Sequence, residues 1–187
     1  MPISQDVLRL VGWAKALTCL SLLFCGVSCA TTTRRSSATE VQRAPAAWVE
    51  KLTSDIRGLD RTIDPHEARE LADIAINHSL DLADSYHVVR PAFLHNVLVN
   101  TGLRDRGLCY HWADDLHTRL LRLSRTSLDI HRVVARLNTS HEHNALVATA
   151  KGQGYQTGLV LDAWREGGRL FWKPVVDDKK FPWIIRP

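Results

Sequence analysis

The sequence predicts an α+β domain in which helices come first and an antiparallel β-sheet follows. Between residues 48 and 123, apolar side chains recur every three or four positions, the spacing of one helix face. After Ser127 the period changes, and short apolar runs separated by glycine-containing turns indicate strands. Helices followed by strands, rather than the two in alternation, are typical of α+β domains.

Four helices are predicted in the first part of the domain. Asp64-Pro65 marks the start of the second, because aspartate is a favoured N-cap residue and proline fits the first helical position. The fourth carries Cys109 in its first turn, on its apolar face. The predicted helices cover residues 48–59, 64–84, 92–99 and 108–123.

The second part of the domain reads as an antiparallel meander. Turn signals at residues 151–154 and 165–168 separate consecutive apolar runs. The predicted strands begin near Ile130, His143, Gly158 and Leu170 and end near Leu137, Ala150, Trp164 and Val175. Residues 46–187 are therefore expected to form one domain, in which the cysteine-bearing helix packs on the sheet.

The N-terminal segment has the pattern of an export signal. Basic residues precede an apolar run, residues 16–27, that is too short to span a bilayer comfortably, and small residues follow it. Gly26-Val27-Ser28-Cys29 resembles the lipobox of bacterial lipoproteins, although glycine stands where that family prefers leucine. The resemblance implies a signal peptide at residues 1–28 and acylation of Cys29. A plain cleaved signal peptide and an uncleaved anchor are the alternatives.

Export determines the expected surroundings of the domain. Residues 29–45 are rich in Ser, Thr, Ala and Arg and are predicted to be a flexible tether. Because Ala30 rather than aspartate follows the cysteine, the resemblance implies an outer-membrane lipid anchor facing the periplasm. The formal net charge is only +4 and the basic residues are scattered, which argues against nucleic-acid binding.

Cys109 is the one cysteine of the mature domain if the signal peptide is removed and Cys29 carries lipid. An unpaired cysteine in an oxidising compartment is either a reactive thiol or an inert packed one. A helix N-terminus favours the thiolate, a histidine can shuttle its proton, and an aspartate can orient that histidine. His143 and Asp162, on consecutive predicted strands, are the candidates for these two roles.

Three segments resemble the transglutaminase-like superfamily. Residues 106–113 contain a Gly-x-Cys with Trp112-Ala113 one turn later, residues 142–147 contain His143 before an apolar strand, and residues 158–164 contain Asp162 near a strand end. The resemblance covers roughly residues 100–175. It implies a papain-like fold with Cys109 as nucleophile, His143 as base and Asp162 as orienting acid. Choosing His143 over His141 as the base depends on this resemblance.

The sequence thus predicts an exported thiol-dependent amide hydrolase or acyltransferase that needs no cofactor or metal. Peptides or envelope proteins are the expected substrates, including peptidoglycan stem peptides. Trp112 and Trp164 are candidates for a substrate groove. One alternative is a non-catalytic binding or scaffold lipoprotein that retains the fold. Another is a metal site at His141 and His143 with His111, for which no further ligand cluster stands at a typical spacing.

Overall fold

Four α-helices precede five strands in the part of the chain that the structure, a computed structural model, describes, residues 43–187. These residues lie within one compact unit, Glu40–Pro187. The helices are α1 (Ala46–Arg57), α2 (Pro65–Ser85), α3 (Ala92–Asn100) and α4 (Cys109–Leu120). The strands are β1 (Leu128–Ala135), β2 (His143–Ala150), β3 (Leu159–Glu166), β4 (Arg169–Pro174) and β5 (Trp183–Ile185). The α+β class is therefore confirmed.

The predicted N-terminal features fall outside the described residues. The signal peptide at residues 1–28, the acylated Cys29 and nearly all of the tether at residues 29–45 belong to this segment. Within residues 43–187, no helix is both long enough and apolar enough to cross a membrane.

The strands form one antiparallel sheet in the order β4-β3-β2-β1-β5. The first four strands follow the predicted meander, in which each strand pairs with the next one along the chain. β5 was not predicted, because three residues are too few to show an alternating pattern. It returns to the far edge of the sheet, where Ala135 of β1 lies opposite Trp183.

The start of α2 follows from local sequence chemistry. The Asp64 side chain accepts hydrogen bonds from the backbone N–H groups of His66 (2.8 Å) and Glu67 (3.0 Å), which satisfies two of the donors that every helix start leaves free. Glu67 in turn accepts hydrogen bonds from Thr126 and Ser127, immediately before β1. Burial alone would raise the pKa of Glu67, but these hydrogen bonds lower it to about 2. The helix start is thereby tied to the start of the sheet.

Both faces of the sheet are covered. On one face, Trp112, Leu116 and Leu120 of α4 belong to the same buried cluster as Leu146 of β2 and Leu161 of β3. A smaller cluster covers the other face and consists of Val133, Ala135, Ala145, Val147, Val160, Phe181 and Trp183. Because successive side chains of a strand point to opposite faces, neighbouring polar residues of β2 are delivered to different sides of the sheet.

We expect Asp64→Ala to lower the free energy of unfolding by about 1 kcal/mol, because two N–H groups of the first turn of α2 lose their acceptor. Asp84→Ala is the matched control, since Asp84 is an exposed acid in the last turn of the same helix, where its charge gains nothing from the helix dipole. Urea unfolding of both variants measures the effect. Equal destabilisation by the two substitutions would contradict the capping role.

Candidate active site

Cys109 is the first residue of α4 and is half-buried. Within residues 43–187 its backbone N–H donates to no carbonyl or side chain, as expected at a helix start. Its Sγ lies 3.7 Å from the carbonyl oxygen of Glu142, to which a thiol can donate, and 3.9 Å from Nδ2 of Asn144. The predicted position at a helix N-terminus is thus found, with the sulfur at the start of β2.

The turn before Cys109 requires glycine at position 107. Gly107 has a φ of +125°, in the region that favours glycine. A Cβ at this position would lie 2.1 Å from Nε2 of His95, a buried residue of α3. His95 Nε2 donates to the carbonyl oxygen of Arg106 at 2.9 Å, while its Nδ1 accepts from the N–H of Val89 at 3.3 Å. The side chain of His95, on α3, therefore fixes the position of the turn before Cys109.

Two side chains of α4 hold the same turn from the helix side. Nδ1 of His111 accepts hydrogen bonds from the N–H groups of Gly107 (3.1 Å) and Leu108 (3.2 Å). Burial, together with the positive charge of Arg106, lowers the pKa of His111, which keeps its ring a neutral acceptor. Nε1 of Trp112 donates to the carbonyl oxygen of Gly107 at 2.8 Å. His111 and Trp112 thus fix the backbone from which Cys109 projects.

This contact corrects the prediction that Trp112 lines a substrate groove. Its side chain is 2% exposed and packs edge-on against Tyr86, with ring centroids 4.8 Å apart. The apolar face of α4 turns inward here, and the indole nitrogen finds its acceptor in the backbone of Gly107. Trp112 supports the turn and presents no surface to a substrate.

His143 and Asp162 form a buried hydrogen bond. Nε2 of His143 lies 2.6 Å from Oδ2 of Asp162, and the residues are 3% and 1% exposed. Burial by itself would lower the pKa of His143, but the charge and hydrogen bond of Asp162 and the nearby Cys109 sulfur raise it to about 9. The imidazole is therefore charged at neutral pH. Since Nε2 forms the hydrogen bond with Asp162, Nδ1 is the nitrogen that remains for proton exchange with the sulfur.

Asp162 is fully supplied with donors. Its Oδ1 accepts from the backbone N–H groups of Trp164 (3.1 Å) and Arg165 (3.0 Å), and its Oδ2 accepts from Nε of Arg165 (3.0 Å) besides His143. Burial would raise the pKa of this carboxyl, but the positive charge and hydrogen bond of His143, followed by Arg165, lower it. Asp162 is thus a buried carboxylate that can orient and stabilise an imidazolium.

The chain of polar contacts continues beyond the three predicted residues. The guanidinium of Arg165 bonds both oxygens of Asp178, at 3.2 and 2.8 Å, and lies 3.9 Å from the ring centre of Phe171. Nε1 of Trp183 donates to the same carboxylate at 3.0 Å. Neither Arg165 nor Asp178 was predicted from the sequence. Their only local signal is that Arg165 follows Asp162 by three residues, which is no motif.

Aromatic rings enclose the His143 imidazole. The ring centres of Phe181, Trp164 and Trp183 lie 4.4, 4.8 and 5.5 Å from it. Trp164 is half-buried, and its Nε1 donates to Oδ1 of Asn96 on α3 at 3.0 Å. The structure therefore brings Trp164, unlike Trp112, against the candidate catalytic histidine.

A second polar cluster borders the sulfur, and it too was not predicted from the sequence. Oε1 of Glu142 accepts from Nδ2 of Asn144 (3.0 Å) and Nη1 of Arg186 (2.9 Å), while Oε2 accepts from the N–H of Asn138 (2.9 Å). Nη1 of Arg186 also donates to Oδ1 of Asn144. The hydrogen bonds from Asn144, Asn138 and Arg186 lower the pKa of Glu142 to about 2.

The alternative metal site finds no support in the geometry. Among residues 43–187, no three His, Cys, Asp or Glu side chains are grouped so that they could hold a metal ion. His141 is exposed and contacts its neighbour Ser140, and Nδ1 of His111 is engaged by backbone N–H groups. Of the histidines considered, His143 is the one in contact with Asp162.

Comparisons with protein-family models, with curated proteins and with solved structures found no match to this chain. The structure joins His143 to Asp162 and places the sulfur of Cys109 at the start of the same strand, against Asn144. It adds Trp164 and Arg165 to the pair and removes Trp112 from the candidate substrate surface.

We expect Gly107→Ala to lower the free energy of unfolding by about 2 kcal/mol or more, because the new methyl group collides with His95 at a backbone angle that alanine disfavours. Gly102→Ala is the matched control: Gly102 also has a positive φ, +76°, but nothing lies within 4 Å of a Cβ there. It isolates the backbone strain, about 1 kcal/mol. Urea unfolding that gave the two variants equal stability would contradict the role assigned to the His95 contact.

The raised pKa of His143 predicts a pH-dependent contribution to stability. The pKa of His143 is 6.5 in the unfolded chain and about 9 in the folded protein. Such a histidine stabilises the fold fully below pH 6.5, and this contribution is lost as the pH rises through 9. We expect the wild type to lose stability relative to His143→Gln over this window, by an amount on the order of 3 kcal/mol. Urea unfolding of both proteins at several pH values measures the difference. Parallel curves would show that His143 gains no proton on folding.

Proposed function

We propose that the protein is a thiol-dependent amide hydrolase or acyltransferase that acts through Cys109, His143 and Asp162. The observation that carries the proposal is the buried pair of His143 and Asp162, whose Nε2 and Oδ2 atoms are 2.6 Å apart. At the same strand end, the sulfur of Cys109, the first residue of a helix, lies 3.7 Å from the carbonyl oxygen of Glu142, the residue before His143, and it contributes to the raised pKa of His143. Nucleophile, proton carrier and orienting group then follow one another as thiol catalysis requires.

We further propose that the domain has a transglutaminase-like, papain-like fold. The support is the helix α4, which begins at Cys109 and packs on an antiparallel sheet, with His143 and Asp162 supplied by the neighbouring strands β2 and β3. Gly107, in the Gly-x-Cys segment that carries the resemblance, has a positive φ and closely approaches His95, so glycine has a physical reason to stand there.

Acylation would proceed from the charge state that the raised pKa of His143 favours. The sulfur of Cys109 adds to the amide carbonyl carbon, and the π electrons move onto the carbonyl oxygen. His143 then gives its Nδ1 proton to the amide nitrogen, the C–N bond breaks, and the amine leaves. The products are a thioester on Cys109 and a neutral imidazole, which keeps its Nε2 proton toward Asp162.

Deacylation would restore the starting state. The neutral His143 takes a proton from water or from an amine as that molecule adds to the thioester carbon. The C–S bond breaks, and the sulfur regains its negative charge beside the imidazolium. Water yields a carboxylic acid and an amine yields a new amide, so hydrolysis and acyl transfer differ only in the second substrate.

The proposed place of action is the cell envelope, with the domain tethered to the outer membrane through a lipid on Cys29 and facing the periplasm. Support comes from the basic, apolar and small-residue order of the first 30 residues. Peptides and envelope proteins, including peptidoglycan stem peptides, are within reach there and contain the amide bond that the site would attack.

A non-catalytic scaffold is the competing proposal, and one contact favours it. The Cys109 thiol has an acceptor in the Glu142 carbonyl oxygen at 3.7 Å, so it could serve as a packed residue that closes the end of the sheet. In that case the sulfur would behave as an ordinary thiol, and the surrounding charges would act only on stability.

Alkylation of Cys109 by iodoacetamide across pH separates the two proposals. We expect the rate at Cys109, read by peptide mass spectrometry, to stay high well below pH 8.5, about the pKa of a free cysteine. His143→Ala should lower the rate near neutral pH by about tenfold or more, because the thiolate loses its neighbouring cation. Asp162→Asn should lower it less, since the imidazole is still present but less basic.

His141→Ala is the matched control, because it removes an exposed histidine two residues before His143 that does not contact Asp162. It should alkylate at the wild-type rate. A slow alkylation whose pH dependence is that of an ordinary thiol, and which His143→Ala does not change, would contradict the enzyme proposal and favour the scaffold proposal.

A further inference from the structure

We infer that Asn144 is a catalytic residue, whose side-chain amide Nδ2 forms an oxyanion hole together with the backbone N–H of Cys109. The inference rests on the proposed function and adds to it the group that receives the negative charge formed on the substrate carbonyl oxygen. Its starting point is a polar side chain that is 3% exposed and lies against the candidate nucleophile.

The position of Asn144 follows from the alternation along β2. Leu146, Ala148 and Ala150 face the helices, so Asn144 belongs to the face on which α4 packs. His143 has the same parity as Ala145 and Val147, which belong to the cluster on the opposite face. The amide of Asn144, 3.9 Å from the sulfur of Cys109 at the start of the strand, thus lies on the opposite side of the sheet from the imidazole of His143.

The orientation of the Asn144 amide is fixed by two charges. Oδ1 accepts from Nη1 of Arg186, and Nδ2 donates to Oε1 of Glu142 at 3.0 Å. A flipped amide would place its NH₂ against the guanidinium and its oxygen against the carboxylate, which are two repulsive contacts. One hydrogen of Nδ2 is used by Glu142. The second is free for the sulfur side, where Sγ lies at 3.9 Å.

The separation between Nδ2 of Asn144 and Sγ of Cys109 leaves room for the amide to bond an oxygen on the reacting carbon instead of the sulfur. A donor 3.9 Å from Sγ makes at most a weak bond to it. A carbonyl carbon bound to the sulfur would carry its oxygen closer to the amide. The second donor is already present, because the N–H of Cys109 is unpaired within the described part of the chain and points out of the first turn of α4.

The negative charge on the substrate carbonyl oxygen would arise in the step in which the sulfur adds to the carbonyl carbon. As the sulfur adds to the carbonyl carbon, the C–S bond forms and the π pair of the C=O bond becomes a lone pair on oxygen. When the tetrahedral intermediate collapses, that pair re-forms the C=O bond and the leaving group departs. Fixed donors aimed at this oxygen stabilise the intermediate and not the ground state, and the loss of one such donor costs about 10²- to 10³-fold in rate.

Two reagents distinguish an oxyanion donor from a residue that merely positions the thiol. 4-Nitrophenyl acetate acylates the sulfur through an oxyanion, and its leaving group departs without a proton from His143. Iodoacetamide alkylates the same sulfur by displacing iodide, with no charge on a carbonyl oxygen. The ratio of the two rates at Cys109 therefore reports the oxyanion hole alone.

The experiment uses the full chain in detergent, with the rates of Cys109→Ala subtracted so that only reaction at Cys109 is counted. We expect Asn144→Ala to lower the acylation rate by about 10²-fold or more and to leave alkylation unchanged. Asn144→Ser keeps a hydroxyl for Glu142 but shortens the donor, and should give the same pattern with a smaller loss. Asn77→Ala, a substitution of an amide on α2 that bonds the backbone of Ala44, is the matched control.

The outcomes are distinct. Equal loss of both reactions in Asn144→Ala and Asn144→Ser would mean that Asn144 only positions the thiol, and no loss of either would mean that it has no part in the chemistry. Both results overturn the inference while the proposed function stands. If the wild type shows no acylation that depends on Cys109, the proposed function fails, and the inference fails with it.

Discussion

The hydrogen bond between His143 and Asp162 is the contact on which the rest of the site depends. Both residues are almost wholly buried, and removing two charges from water costs several kcal/mol for each ion unless close partners replace the lost hydration. Here the carboxylate receives donors from His143, from two backbone N–H groups and from Arg165. The imidazolium is compensated by that carboxylate. A site of this kind is stable only when it is complete.

Completeness explains structural features that otherwise look unrelated. Arg165 brings a positive charge to Asp162, so it needs a second carboxylate, and Asp178 supplies one from the segment before β5. Phe181 and Trp183 then close the space around the imidazole, and the indole of Trp183 bonds the same Asp178. The short strand β5 thus adds little to the sheet but covers its charged centre.

How much of this could be read from the sequence depends on the range of each interaction. The start of α2 and the extent of β2 are local, so capping chemistry and apolar periodicity predicted them. The order Cys109, His143, Asp162 was predicted from the chemistry of the three residue types together with the family resemblance, which decided for His143 over His141. Asp178 and Arg186 gave no signal, since each acts on residues more than ten positions away and neither belongs to a periodic pattern. Trp112 was misassigned because an indole on an apolar helix face reads alike whether it lines a groove or supports a turn.

The two faces of the sheet separate the proposed proton donor from the proposed oxyanion donors. A tetrahedral intermediate needs a proton donor for the leaving group and a separate donor pair for the oxygen, and the two cannot occupy the same side of the reacting carbon. Consecutive residues of one strand meet this need directly, because His143 and Asn144 point to opposite faces at the strand end where α4 begins. Cys109 lies half-buried at the same strand end. In the mechanism that we propose, the alternation of a β-strand and the open first turn of a helix would together arrange nucleophile, acid and oxyanion donors around one carbonyl group.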